Sequence, residues 1–186
     1  MNLESAVSHP CQALADIMTI YEKKGKLEGL TVAYIGDGDN VANSLFRARA
    51  ALGASFRIAS PEGYGLSKDI VRLGLRSSKK AGAEIALLRD PREAVKGAEV
   101  VYTDVWTSMG QEDEAAKRRK AFTGYQVDAK LMKLAAKDAI FMHDLPAHPG
   151  EEIAPGMLDS PQSVVFEQAE NKMHVLKAIL AEILGK

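Results

Sequence analysis

Short strand-like runs punctuate this chain, and each stops at glycine or a polar cluster before a helical pattern begins. They cover residues 30–35, 55–59, 84–88, 100–103 and 139–142. Runs this short and this apolar read as strands buried on both faces of a sheet. The segments between them read as helices. These are 11–24 behind Pro10 at a first helical position, 40–52, 66–81 stopped by Gly82, a short one after Asp90-Pro91, then 112–122 and 128–136. Residues 164–166 read as a short extended piece and 168–184 as a closing helix. Alternation of strand and helix implies a parallel sheet with helices on both faces and right-handed crossovers. The predicted fold is a three-layer α/β/α, doubly wound, Rossmann-like sheet of about five strands in the order 3-2-1-4-5. Its 186 residues suffice for one domain with one substantial core.

Composition excludes several roles. A net charge of −1 argues against a general nucleic-acid binder, which is usually basic. The basic run Lys117-Arg118-Arg119-Lys120 follows acidic Glu112-Asp113-Glu114 on one predicted helix and reads as a solvated face. Cys11 is the single cysteine, so no intramolecular disulfide framework forms, and it reads as a small packing residue. Residues 1–9 have neither the apolar core nor the positive start of a secretion signal, and no apolar run approaches a bilayer-spanning length. A cytoplasmic protein is expected, without membrane or nucleic-acid partners.

Three polar loops follow strands, where parallel α/β sheets bind ligands. The first, Gly36-Asp37-Gly38-Asp39-Asn40, begins like a dinucleotide fingerprint, but its sixth position is Val41 and the second strand ends in Ala59-Ser60 with no acid for a ribose. Either its glycines simply make a tight strand-to-helix turn, or Asp39 or Asn40 caps the helix while an amide reaches a small polar ligand; no cofactor is expected. The second, from Asp104 to Gly110, carries Trp106, Ser108 and Met109. There a carboxylate, a hydroxyl and backbone amides suit a zwitterion: Asp104 for an ammonium, Ser108 and amides for a carboxylate. Trp106 reads as a core or lid anchor. The third, His143-Asp144-Leu145-Pro146-Ala147-His148, offers possible metal ligands in His143, Asp144 and His148, yet lacks the helical spacing of a zinc-protease motif, so no metal is expected. Glu151-Glu152 reads as an acid pair at a helix start.

Together these motifs resemble a known family. His9-Pro10-Cys11-Gln12-Ala13-Leu14-Ala15-Asp16 is similar to the HPCQALAD segment of the ornithine carbamoyltransferases. The turn at Gly36 resembles their GDGNNV, residues 104–112 match their DVWTSMGQE loop, residues 143–152 resemble HCLPAHRGEE, and residues 166–171 resemble FDQAEN. The resemblance implies the second, ornithine-binding domain of a two-domain transferase. In that family the neutral δ-amine of ornithine attacks carbamoyl phosphate, giving citrulline and phosphate without metal or organic cofactor. The first domain's Ser-x-Arg-Thr-Arg motif does not occur here.

By the same resemblance Asn40, Asp104, Ser108 and Met109 hold the amino-acid end of ornithine. His9 and Gln12 point at the carbamoyl group, and Leu145 gives a backbone contact near the reacting nitrogen. Three positions depart from the pattern: Asp144 stands where the family has cysteine, Lys172 where it has arginine, and Pro149 where many relatives have arginine. Asp144 is expected to repel carbamoyl phosphate and to favour the protonated amine. Lys172 keeps a charge but loses the planar fork of arginine. The implied state is an inactive or weakly active monomer that binds L-ornithine and meets carbamoyl phosphate only with a partner domain. Self-association through apolar positions of the closing helix (Val175, Ile179, Leu180) is one alternative. A scaffold without ligand function, an excised or engineered domain, and a complementing subunit are others.

Overall fold

The computed structural model describes residues 4–81 and 83–185. Strands β1 (Thr31–Ile35), β2 (Ser55–Ala59), β3 (Ile85–Leu88), β4 (Val100–Thr103) and β5 (Ile140–His143) form one sheet in the order β3-β2-β1-β4-β5. Every neighbouring pair is parallel. This is the predicted order, with its switch point between β1 and β4. The register aligns the strand ends: Ile35 pairs with Thr103, and Thr103 with His143. The three loops leaving β1, β4 and β5 therefore start level with one another at one rim.

Alternation along the strands divides the core. Val32, Tyr34, Phe56, Ile58, Val100 and Tyr102 share one face with Ile20 of α1 (Pro10–Lys24) and with Leu45 and Phe46 of α2 (Asn40–Ala51). Ala33, Ile35, Val101 and Phe141 face the other way. They meet Ala94 and Val95 of α4 (Pro91–Val95) and Leu131 and Met132 of α6 (Ala129–Met132). Each fully buried side chain of this size contributes about 2 kcal/mol of apolar transfer energy. Helix α3 (Lys68–Ala81) packs on α2, and α1 packs along α7 (Val165–Leu184). No helix among the described residues is long and apolar enough to cross a membrane.

Several sequence expectations need correction. The third helix starts at Lys68, because the Ser67 hydroxyl accepts the Ile70 N–H and leaves residues 66–67 outside it; its expected stop, Gly82, lies outside the described residues. The 112–122 helix is a 3-10 turn (Glu112–Glu114) followed by α5 (Ala115–Ala121). The 128–136 helix is one turn, capped where Asp128 accepts the Leu131 N–H at 2.7 Å; the Leu134 carbonyl then turns aside to accept from Gly97. Residues 164–166 are not an extended piece. Bonding beside β5 ends at Val164, whose N–H donates to Phe141, and its carbonyl then accepts the Gln168 N–H as α7 begins. On α7, Val175 and Ile179 are half-buried and Leu180 is exposed.

Candidate active site at the carboxyl ends of β1, β4 and β5

The β1–α2 turn is shaped by close approach. A Cβ on Gly38 would meet the Gly65 carbonyl carbon and the Leu66 nitrogen at 2.3 Å each, and the Gly38 N–H donates to the Tyr64 carbonyl at 2.7 Å. The loop after β2 thus packs directly against this turn. Asp39 accepts the Asn40 N–H, and Asn40 accepts the Val41 N–H, both at 2.8 Å; each bond reaches only the next residue, not the N–H two or three residues on that a helix cap satisfies. The Asn40 amide reaches out and donates to the Ser5 carbonyl at 3.0 Å.

The β4 loop buries its polar start. Asp104 is nearly enclosed, and its Oδ1 accepts the Val105 N–H at 2.6 Å. Trp106 is a core anchor, stacked on Phe122 with centroids 5.7 Å apart. The Ser108 hydroxyl lies 3.3 Å from Asp39 Oδ2, while Met109 is 88% exposed.

The β5 loop contains an arrangement that the sequence reading missed. His143 Nδ1 accepts the Leu145 N–H at 2.9 Å, which leaves the ring proton on Nε2, 3.3 Å from Glu152 Oε1. Glu152 is fully buried and its Oε1 also accepts the His148 N–H. Glu152 is therefore not half of an acid pair at a helix start; it fixes the tautomer of His143. That in turn holds Leu145 at φ 58°, in the left-handed region that a leucine rarely adopts.

Beneath the rim lies a second missed network. Asp16 is fully buried, and its Oδ1 accepts from Gln12 Nε2 at 2.8 Å and Gln168 Nε2 at 2.7 Å. Gln168 also reaches the Tyr102 hydroxyl at 3.0 Å and accepts the His143 N–H at 3.0 Å. Burial pushes the Asp16 carboxyl up to about 7 against the pull of these donors. Gln12 is thereby turned inward, engaged with Asp16 and away from the cavity, contrary to the expectation that it points at a reacting group.

The basic run is corrected as well. Arg118 is buried rather than solvated: its guanidinium bonds Asp37 at 2.5 Å and the Trp106 carbonyl at 2.9 Å, and sits over the Tyr64 ring. Burial still outweighs Arg118 and lifts Asp37 to about 6.

These loops enclose one cavity of about 580 Å³. His9, Asn40, Asp104, Ser108, Met109, Asp144, Leu145 and Lys172 all line it, and of the residues anticipated only Gln12 does not. Lys172 Nζ lies 3.5 Å from His9 Nε2 at the rim. The lining is acidic on balance: Glu4, Asp104, Glu112, Asp144 and Glu151 stand against Arg119 and Lys172, and Arg119 is itself paired with Glu151 at 2.9 Å. Burial, then the neighbouring Asp104 charge, pushes the Asp144 carboxyl well above the usual range. The possible ligands His143, Asp144 and His148 do not fall in a single cluster. Asp104, His143 and Asp144 form one cluster and His148, Glu151 and Glu152 another, with the His143 ring nitrogens already engaged.

A cavity with a zwitterion's complement at the switch point of a doubly wound sheet narrows the choice of relatives. The description "Aspartate/ornithine carbamoyltransferase, Asp/Orn binding domain" matches residues 28–183. The chain belongs to this carbamoyltransferase family. The ornithine carbamoyltransferase of Thermococcus kodakarensis is 52% identical over 181 residues, covering 97% of this chain and 58% of that protein. Among solved structures, the Pyrococcus furiosus ornithine carbamoyltransferase superposes with a TM-score of 0.92 at 53% identity, over 97% of this chain and 57% of that one. The Gloeobacter violaceus enzyme gives 0.91 at 42% identity, over 99% and 61%. The chain thus spans a little under three-fifths of the length of the curated carbamoyltransferases it matches.

Proposed function

We propose that this chain is the L-ornithine-binding half of an ornithine carbamoyltransferase. Asp104 takes the α-ammonium, and the Asn40 amide, the Ser108 hydroxyl and the backbone at Met109 take the carboxylate. The observation that carries this reading is the meeting of three separate loops at one cavity lined by a buried carboxylate, Asp104. To admit ligand, the Asn40 amide exchanges the Ser5 carbonyl for a carboxylate oxygen.

Catalysis in this reading is positioning plus charge stabilisation. His9 and Lys172 stand at the rim where a carbamoyl group would enter, and the Leu145 backbone is held beside the reacting nitrogen by His143 and Glu152. Carbamoyl phosphate comes with a separate binding unit, so the chain alone gives negligible citrulline. Asp144 holds the amine protonated and slows attack further.

Titration with L-ornithine, followed by calorimetry and by NMR of residues 104–109, tests the reading. Saturable binding is expected. Asp104→Asn should weaken it at least about tenfold with little change in thermal stability. No response of that loop at millimolar ligand rejects the reading. Mixing with a carbamoyl-phosphate-binding half and assaying citrulline tests the complementing role.

A further inference from the structure

We propose that Asp144 joins Asp104 to form a receptor for two ammonium groups, so that the cavity prefers linear diamines and dibasic amino acids to ligands with one amine. This rests on the amine-binding reading above and adds to it a residue that the family pattern does not supply.

Neighbouring strands set the pair. Thr103 and His143 are in register at the ends of β4 and β5, so the next residues, Asp104 and Asp144, stand side by side. Ligand-capable atoms of Asp104, His143 and Asp144 lie within 4.8 Å of one another. The Asp144 side chain is only 10% exposed and lines the cavity, yet its Oδ1 is buried without a hydrogen-bond partner. His143 does not satisfy it: Nδ1, 3.7 Å away, accepts the Leu145 N–H and so carries no proton to donate. An orphaned, enclosed carboxylate oxygen calls for a cation.

The surroundings do not provide one. Asp39 and Asp37 approach from the β1–α2 turn and Asp16 from α1, all acidic, while Tyr34 and Tyr102 beneath the pair keep their protons. Arg118 of α5 is engaged with Asp37, Arg119 with Glu151, and Lys172 of α7 stands beside His9 at the rim. His148 lies across the mouth with Glu152. Among the described residues no lysine or arginine forms an ion pair with Asp104 or Asp144.

Without ligand, the pair avoids two adjacent buried charges by sharing one proton. One incoming ammonium leaves that arrangement intact. Two ammonium groups ionise both carboxylates: one carboxyl O–H bond breaks, no covalent bond forms, and the proton passes to solvent. Diamine binding is therefore proton-releasing and monoamine binding is not.

Calorimetry of the full chain in buffers of different ionisation enthalpy counts those protons, with norvaline as the monoamine and ornithine and putrescine as the diamines. Ornithine and putrescine should each release close to one proton at any pH where the unliganded pair still holds it, and tighten there by up to about tenfold per pH unit. Norvaline should release none and show no such slope. Asp144→Asn and Asp144→Cys should abolish proton release, weaken both diamines about tenfold or more, and leave norvaline within about twofold. Unchanged diamine affinity and proton count in both variants overturn the proposal and leave amine binding standing. Should the variants fail to fold, equal proton release and equal pH slope for norvaline and ornithine overturn it with the native chain alone. Putrescine binding without norvaline or ornithine binding would support the receptor and reject the ornithine reading; no binding of any of the three rejects both.

Discussion

At the rim where the strands begin, Lys24 holds Asp138 at 3.0 Å and Glu99 accepts the Thr31 N–H at 2.9 Å. At the rim where they end, Asp37, Asp39, Asp104 and Asp144 crowd together with Arg118 as the buried cation among the described residues. The first rim matches its charges locally, with the Lys24 side chain covered and Asp138 open to solvent, where screening keeps such a pair's contribution small. The second encloses acids that the protein itself leaves unmatched. Unmatched buried charge destabilises a fold, so its concentration in one cavity marks where binding, rather than stability, has shaped the chain.

The contrast can be broken most sharply at Arg118. Arg118→Ala strips Asp37 of its partner and should destabilise the fold by about 3 kcal/mol in urea titration. The loss should shrink below about pH 6, where Asp37 takes up a proton. Next in size is Gly38→Ala. Its Cβ would strike backbone rather than a movable side chain, for an expected loss of about 2 kcal/mol by the same measurement.

Changing pH should sharpen the same contrast gradually, by a smaller amount for each pH unit. Asp16 is raised from 3.8 to about 7 in the folded protein, so between those values the native state holds a proton that the unfolded chain has released. Stability is then greatest below the lower value and falls as pH rises towards the upper one, by up to about 1.4 kcal/mol per pH unit. Asp37 acts in the same sense. Asp16→Asn keeps an oxygen for Gln12 and Gln168 and should flatten this slope in thermal melts across that range. The smallest effect should come from the opposite rim: Lys24→Ala breaks a pair whose Asp138 is exposed, and should lower Tm least of the four.

The sequence carries the sheet and its strand order well, because apolar runs and their glycine stops are local properties. The place of Asp104, directly after β4, and of Asn40, at the start of α2, on the cavity wall was legible too. Some of the rest was written in spacing. Gln12 and Asp16 stand four apart on one helix, and Ala115, Arg118 and Phe122 share one helical stripe, so the inward turn of Arg118 had a signal. A basic run masks it, because four like side chains give no sign that one of them points inward. The His143–Glu152 and Asp16–Gln168 bonds had no such signal. Each joins separate segments, the second across 152 residues, and only tertiary packing brings them together.

That last bond bears on how the molecule would respond to force. One oxygen of Asp16 gathers donors from α1 and α7, the helices nearest the two described ends of the chain. Tension applied at those ends would load this clasp ahead of the sheet, so the first and last helices would part before any strand is strained.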